Sequence, residues 1–98
     1  MAKLGPKLRD GLRSFADLEA DRSGPFADLR LQALGYPPKV ANSIMGRLER
    51  RGWIEYGVSV RSGWLTDEGR AVLRRLEEPM FLAAEERDAN AEWNVVDD

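Results

Sequence analysis

The sequence contains neither cysteine nor histidine. Without cysteine the chain can form no disulfides and no thiolate metal sites. Without histidine it also lacks the commonest general base and metal ligand. No glycine-rich phosphate loop and no metal-ligand spacing replaces them. We therefore expect a protein that is not an enzyme and that uses no cofactor.

Long hydrophobic runs are also missing. No apolar stretch approaches the ~20 residues that a membrane-spanning helix needs. The first six residues lack the apolar segment of a signal peptide, so we expect a cytoplasmic protein without membrane association. The 98 residues fit one domain. With 43% hydrophobic residues, the chain is too apolar for a disordered protein.

The net charge of −2 is distributed very unevenly along the chain. Residues 1–76 contain 14 Lys and Arg against 9 Asp and Glu, which leaves +5. Residues 77–98 contain one Arg against 8 acids, which leaves −7. Such opposite halves indicate a basic binding body and an acidic appendage. We therefore divide the chain into a domain of residues 1–78 and an acidic C-terminal extension of residues 79–98.

Apolar residues at helical spacing predict three helices in the first half of the chain. The first would begin at Pro6, with an inward face of Leu8, Leu12, Phe15 and Leu18. The second would begin at Pro25, with an apolar face of Phe26, Leu29, Ala33 and Leu34. The third would end near Arg51, with a buried stripe of Ala41, Ile44, Met45 and Leu48. Gly35 and Gly52 follow the second and third helices, as helix-ending glycines do.

A hairpin and a further helix are predicted next. Residues 53–58 are rich in strand formers, residues 59–63 form a polar loop, and Trp64 begins a short returning strand. Thr66 is a good N-cap for a helix whose inward face would be Val72, Leu73 and Leu76. The predicted fold is mainly α with a small β-hairpin. Three helices, a two-stranded wing and a C-terminal helix follow one another, which is the order of a winged helix-turn-helix.

Two segments also resemble a known group of proteins. Residues 47–55, RLERRGWIE, resemble the end of the third helix in MarR- and PadR-like winged-helix transcription regulators. Residues 65–71, LTDEGRA, are similar to the start of the helix after their wing. Together with the spacing between them, the motifs extend the resemblance over residues 25–78. The resemblance implies a transcription regulator that binds double-stranded DNA, with its wing along phosphates or in the minor groove.

The third helix has the pattern that a DNA-reading helix requires. With the apolar stripe turned inward, its outward face carries Lys39, Asn42, Ser43 and Arg50, with Arg47 on the flank. Asparagine is able to pair bidentately with adenine, and lysine or arginine with guanine or phosphate. On the wing, Arg61 offers one further cation. The alternative for all six residues is an ordinary solvated surface.

A second function is compatible with the same fold. A winged helix can bind a protein instead of DNA, and the acidic extension could then dock a partner or mask the basic face. For assembly we expect a homodimer, paired through the first helix or through residues 79–96. Residues 80–89 would form a last helix, and the competing arrangement folds the extension back on the body. We expect Trp53 and Trp64 to belong wholly or partly to the core.

Overall fold

The structure is a computed structural model that describes residues 5–78. Its elements are α1 (Pro6–Ala20), α2 (Ala27–Ala33), α3 (Pro38–Arg50), β1 (Ile54–Glu55), a 3-10 turn (Val60–Ser62), β2 (Trp64–Leu65) and α4 (Asp67–Leu76). The predicted mainly helical fold with a small antiparallel hairpin is confirmed. The predicted acidic extension, its last helix and its paired terminal segments lie outside the described residues. No helix in the described part of the chain is long and apolar enough to cross a membrane.

Helices α1 and α3 cross at the centre of the core. All four residues of the predicted α1 stripe are buried, with at most 1% of their surface exposed: Leu8, Leu12, Phe15 and Leu18. Gly11 lies at the crossing, where an added Cβ would come within 2.5 Å of the Ile44 Cγ2 atom and 2.9 Å of the Leu48 Cδ1 atom. A glycine inside a helix costs about 1 kcal/mol relative to alanine. Here its missing side chain lets α1 approach α3 closely.

The predicted inward face of α2 is wrong. Phe26, Leu29 and Leu34 are 40%, 44% and 60% exposed, whereas Ala27 and Leu31 are fully buried. The helix has only seven residues, and Phe26 stands at its N-cap position. In two turns, more than one set of apolar residues has helical spacing, so periodicity alone does not select a face. The small Ala27 side chain allows α2 to lie close against the core.

The hairpin is shorter than predicted. Only Ile54 with Leu65 and Glu55 with Trp64 pair across the two strands, so residues 56–58 are not part of the ladder. Beyond them the chain forms the 3-10 turn, which packs against α2 and α3. The Arg22 side chain donates a hydrogen bond of 3.2 Å to the Ser62 carbonyl, which holds the turn against the α1–α2 loop. These contacts draw the chain inward and end the strand pairing.

Helix α4 begins and packs as predicted. The Thr66 hydroxyl oxygen accepts a hydrogen bond of 3.0 Å from the Gly69 N–H, and Leu73 and Leu76 are buried. Gly69 is buried against the hairpin, and this close packing requires glycine, because an added Cβ would collide with the Trp53 carbonyl oxygen. The same carbonyl accepts a 3.0 Å hydrogen bond from the Thr66 N–H. The start of α4 is therefore fixed directly against the beginning of the hairpin.

Candidate nucleic-acid interface

Helix α3 has two chemically distinct faces. Its inner face consists of the predicted residues, which are at most 2% exposed: Ala41, Ile44, Met45 and Leu48. Its outer face exposes polar and charged side chains: Lys39, Asn42, Ser43, Glu49 and Arg50. On the outer face Gly46 is half-buried, as is Arg47 at its flank. Burial of the whole apolar stripe sets the rotation of the helix, and so decides which side chains point into solvent.

The connection between α2 and α3 is held by a buried tyrosine. Gly35 turns the chain with φ +106°, a backbone conformation that favours glycine. The next residue, Tyr36, is 6% exposed, and its N–H donates to the Leu31 carbonyl oxygen at 3.2 Å. Its hydroxyl donates a hydrogen bond of 2.7 Å to the Asp10 carboxylate on α1. Tyr36 therefore attaches the turn before α3 to the core, which fixes where α3 begins.

Tyr36 and Asp10 are positioning residues that no pattern in the sequence predicts. They stand 26 positions apart, and no periodic pattern relates them. A tyrosine between Gly35 and two prolines is the only local signal, since a large ring beside a tight turn tends to be buried. The carboxylate that receives its hydrogen bond is known only once α1 has packed against the turn.

Cations are concentrated on α3. Residues 38–51 contain Lys39, Arg47, Arg50 and Arg51 against one acid, Glu49. On the other elements, several arginines form ion pairs that join parts of the fold. Arg13 on α1 pairs with Glu77 beyond the end of α4, and Arg70 pairs with Glu19 at 2.5 Å. The hydrogen bond from Arg13 to Glu77 raises the pKa of Arg13.

Arg61 lies in the 3-10 turn, where its side chain contacts α2. Its Nε atom donates a hydrogen bond of 2.9 Å to the Asp28 carboxylate on α2. Its guanidinium carbon lies 4.8 Å from the centroid of the Phe26 ring. Both contacts hold the turn of the wing against α2, and the carboxylate offsets the charge. Of the six predicted site residues, five thus share α3 and Arg61 stands apart from them.

The outer face of the hairpin forms an open groove of about 520 Å³ beside the end of α3. The prediction for Trp53 is confirmed, since it is 8% exposed. The prediction for Trp64 is wrong, because 39% of its surface is exposed to the groove and solvent and it is not part of the core cluster. The groove is lined by Glu49, Ile54, Glu55, Tyr56 and Trp64. We call these five residues the wing groove.

The described residues contain no group of three or more acidic side chains that could hold a metal ion. Comparison of the chain with protein families, with characterised proteins and with solved structures found no match. The candidate site is therefore defined by its own geometry. Its central feature is one amphipathic helix, buried by its apolar stripe and presenting a polar, cationic face.

Proposed function

We propose that the chain is a winged helix-turn-helix protein that binds double-stranded DNA as a transcription regulator, with α3 in the major groove. The single observation that carries the proposal is the division of α3 into a buried stripe and an exposed polar, cationic face. The major groove is ~12 Å wide and admits one α-helix. In helix-turn-helix proteins the second helix of the motif enters that groove, and here it would follow α2 and the Tyr36 turn.

The outer face of α3 offers both kinds of contact that such a helix needs. Asn42, near its N-terminal end, is the residue type that pairs with the edge of adenine, and Ser43 is able to donate to or accept from a base. Lys39, Arg47 and Arg50 would bind phosphates or guanine edges. Gly46 leaves the middle of this face without a side chain, so the helix backbone could approach the DNA closely. The contacts that recognise the base sequence of the DNA would then come from the first half of α3.

Arg61 has a conditional place in this proposal. To contact a phosphate, its guanidinium would exchange the Asp28 carboxylate for a phosphate oxygen. Both groups are anionic hydrogen-bond acceptors, so the guanidinium would keep an anionic partner. The exchange would, however, detach the 3-10 turn from α2. We therefore assign the main DNA contacts to α3 and leave Arg61 as a secondary contact.

A fluorescence anisotropy titration with random-sequence duplex, followed by duplexes selected for tight binding, tests the proposal. Lys39→Glu should weaken binding strongly and lower the salt dependence, because each phosphate contact contributes a slope of ~0.9 in log K against log salt. Arg74→Glu is the matched control, because Arg74 is exposed on α4 and the charge change is identical. Asn42→Ala should reduce the preference for selected over random duplex. Equal losses of duplex affinity in Lys39→Glu and Arg74→Glu would contradict DNA binding by α3.

Exposed apolar residues favour a second function, binding to a protein. Phe26, Leu29 and Leu34 are exposed on and beside α2, and Val58 in the wing is 99% exposed. Exposed apolar side chains are typical of protein contact sites where they form a contiguous patch. In this alternative the acidic extension would dock a partner or cover the basic face. Tight binding to a protein together with no duplex binding at low salt would favour it over DNA binding.

We also propose a homodimer, paired through the terminal segments of the chain. The large apolar side chains of α1 are buried within one chain, so they are not available to a second copy. Pairing would then fall to residues 79–96, outside the described part of the chain. It would need to place two α3 helices about one DNA turn apart, ~34 Å. Sedimentation equilibrium at micromolar concentration tests this, since a mass of 11.0 kDa would mean a monomer.

A further inference from the structure

We propose that the wing groove binds an arginine or lysine side chain of an extended basic segment in a partner protein. This second surface shares Glu49 with the outer face of α3 but uses none of the residues to which DNA contacts are assigned. The inference depends on the shape of the groove, on its two carboxylates and on its two half-exposed aromatic rings.

The groove combines charged and aromatic side chains. Ile54 also lines it but is only 2% exposed, because its side chain is turned toward the core. Glu55 and Trp64 face each other across the two strands on the outer side of the hairpin, opposite the buried Ile54–Leu65 pair. Tyr56 continues this surface, and its hydroxyl is 3.5 Å from a Glu49 carboxylate oxygen at the end of α3. Two carboxylates thus lie beside two aromatic rings.

This combination is complementary to an organic cation. Within residues 5–78 neither the Glu49 nor the Glu55 carboxylate lies within salt-bridge distance of a lysine or arginine. The face of an aromatic ring attracts guanidinium and ammonium groups. The chain already makes such contacts internally, since the Arg51 guanidinium carbon lies 5.5 Å from the Trp53 ring centroid. A cation placed between them would form ion pairs with the carboxylates and cation–π contacts with the aromatic rings.

The shape of the groove favours a protein segment over a small cationic molecule as the ligand. Sites for small molecules usually enclose 70–90% of the ligand surface, which an open groove on a two-stranded hairpin cannot do. DNA is disfavoured in the groove, because Glu49 and Glu55 together would repel its phosphates. Val58, two residues beyond Tyr56, is almost fully exposed and offers an apolar contact for a residue next to the cation. An extended segment alternating basic and apolar side chains fits these features.

The test is an NMR titration of the full ¹⁵N-labelled chain with a capped peptide of sequence Gly-Arg-Val-Arg-Gly. The control peptide carries citrulline, a neutral isostere, in place of each arginine. We expect saturable shifts at the Trp64 indole N–H and the Glu55 amide with the arginine peptide. We expect the citrulline peptide to bind at least about tenfold more weakly, since it lacks the charge that the carboxylates attract.

Variants separate the groove from general electrostatics. Glu49→Gln with Glu55→Gln preserves side-chain shape and should weaken the arginine peptide about tenfold. Asp67→Asn with Glu68→Gln removes the same charge from the exposed first turn of α4 and should leave the affinity unchanged. Both variants must retain the dispersed spectrum of the folded chain.

Three results would overturn the proposal: equal binding of the two peptides, shifts confined to residues outside the groove, or full affinity in the Glu49→Gln, Glu55→Gln variant. If capped free arginine binds as tightly as the peptide, the assignment to a protein segment is wrong. Because duplex binding is measured separately, through shifts at Asn42 and Ser43, failure of either proposal leaves the other testable.

Discussion

The outer face of α3 and the wing groove are neighbouring surfaces with opposite chemistry. The α3 segment carries four cations against one acid, whereas the groove contains two carboxylates and two aromatic rings. Glu49 belongs to both, since it lies near the end of α3 and on the rim of the groove. A phosphate is attracted by one surface and repelled by the other. A small domain of this kind could therefore attract two partners of opposite charge, an anionic one at the outer face of α3 and a cationic one at the wing groove.

The two surfaces also differ in what holds them in place. The outer face of α3 is held in place by the buried apolar stripe of the same helix, which packs against the core along the length of the helix. The groove depends on two strands of only two paired residues each, and on the junction of the hairpin with α4. Variants that weaken one support and spare the other should separate the two activities.

Leu48→Ala should have the largest effect and damage both surfaces. Leu48 is fully buried in the α3 stripe, beside Gly11 at the crossing with α1. Truncating a buried leucine costs about 2–5 kcal/mol, through lost burial and the cavity that remains. Thermal and urea denaturation would measure the loss. Ser43→Ala, on the exposed face of the same helix, is the control and should change stability by less than about 0.5 kcal/mol.

Gly69→Ala should damage the groove more than α3. The new Cβ would collide with the Trp53 carbonyl, a backbone group that cannot rotate away. Overpacking of this kind costs about 1–3 kcal/mol, and relief requires α4 to move away from the hairpin. Amide shift changes should therefore be larger at Glu55 and Trp64 than at Asn42. Changes centred on α3 instead would disprove the independence of the two supports.

Gly46→Ala should raise stability and lower DNA affinity. Among residues 5–78, the side-chain atom near an added Cβ is the Arg50 Nη1 atom at 3.4 Å, which is able to move. Replacing glycine by alanine inside a helix stabilises it by about 1 kcal/mol. On the proposed DNA face, however, the methyl group would obstruct close approach, and we expect a loss of about tenfold, or ~1.4 kcal/mol. Denaturation and anisotropy titration of the same sample measure both, and unchanged affinity would remove Gly46 from the interface.

Asp28→Asn should have a small effect on stability and release Arg61. The pair is partly exposed, with 41% of the Arg61 side chain accessible, so its loss should cost less than about 1 kcal/mol. If the freed guanidinium then contacts a phosphate, the salt slope of duplex binding should steepen by ~0.9. Asp17→Asn makes the same charge change beside Arg13 and is the control. An identical slope in the two variants would exclude Arg61 from DNA binding.

The smallest predicted effect concerns Asp21, in the loop between α1 and α2. The Ser23 hydroxyl donates a 2.6 Å hydrogen bond to its carboxylate, and the Ser23 N–H donates another at 3.2 Å, which lowers the pKa of Asp21 below 3.8. A carboxylate with a lowered folded pKa stabilises the fold above its unfolded pKa, and this contribution is lost as pH falls through the folded pKa. An NMR pH titration should show Ser23→Ala raising this pKa and Ser43→Ala leaving it unchanged.

Local patterns in the sequence determined α1, α3 and α4 and the residues that each buries. These helices have 15, 13 and 10 residues, long enough for the apolar spacing to define a single face. The N-cap at Thr66 and the turn at Gly35 were also predictable, because each depends on the chemistry of one residue and its immediate neighbours. Five of the six candidate DNA contacts followed from the α3 pattern, since the buried stripe places the remaining residues in solvent.

Tertiary contacts alone decided the rest, because they join residues that are distant in the chain. The orientation of the seven-residue α2 depends on which apolar residues fit the core, and Ala27 and Leu31 fit where Phe26 and Leu29 do not. The position of Arg61 depends on a carboxylate 33 residues away, and that of Tyr36 on one 26 residues away. The wing groove exists only because α3 and the hairpin bring Glu49 beside Trp64. Periodicity describes one element at a time, whereas these features arise from the packing of several.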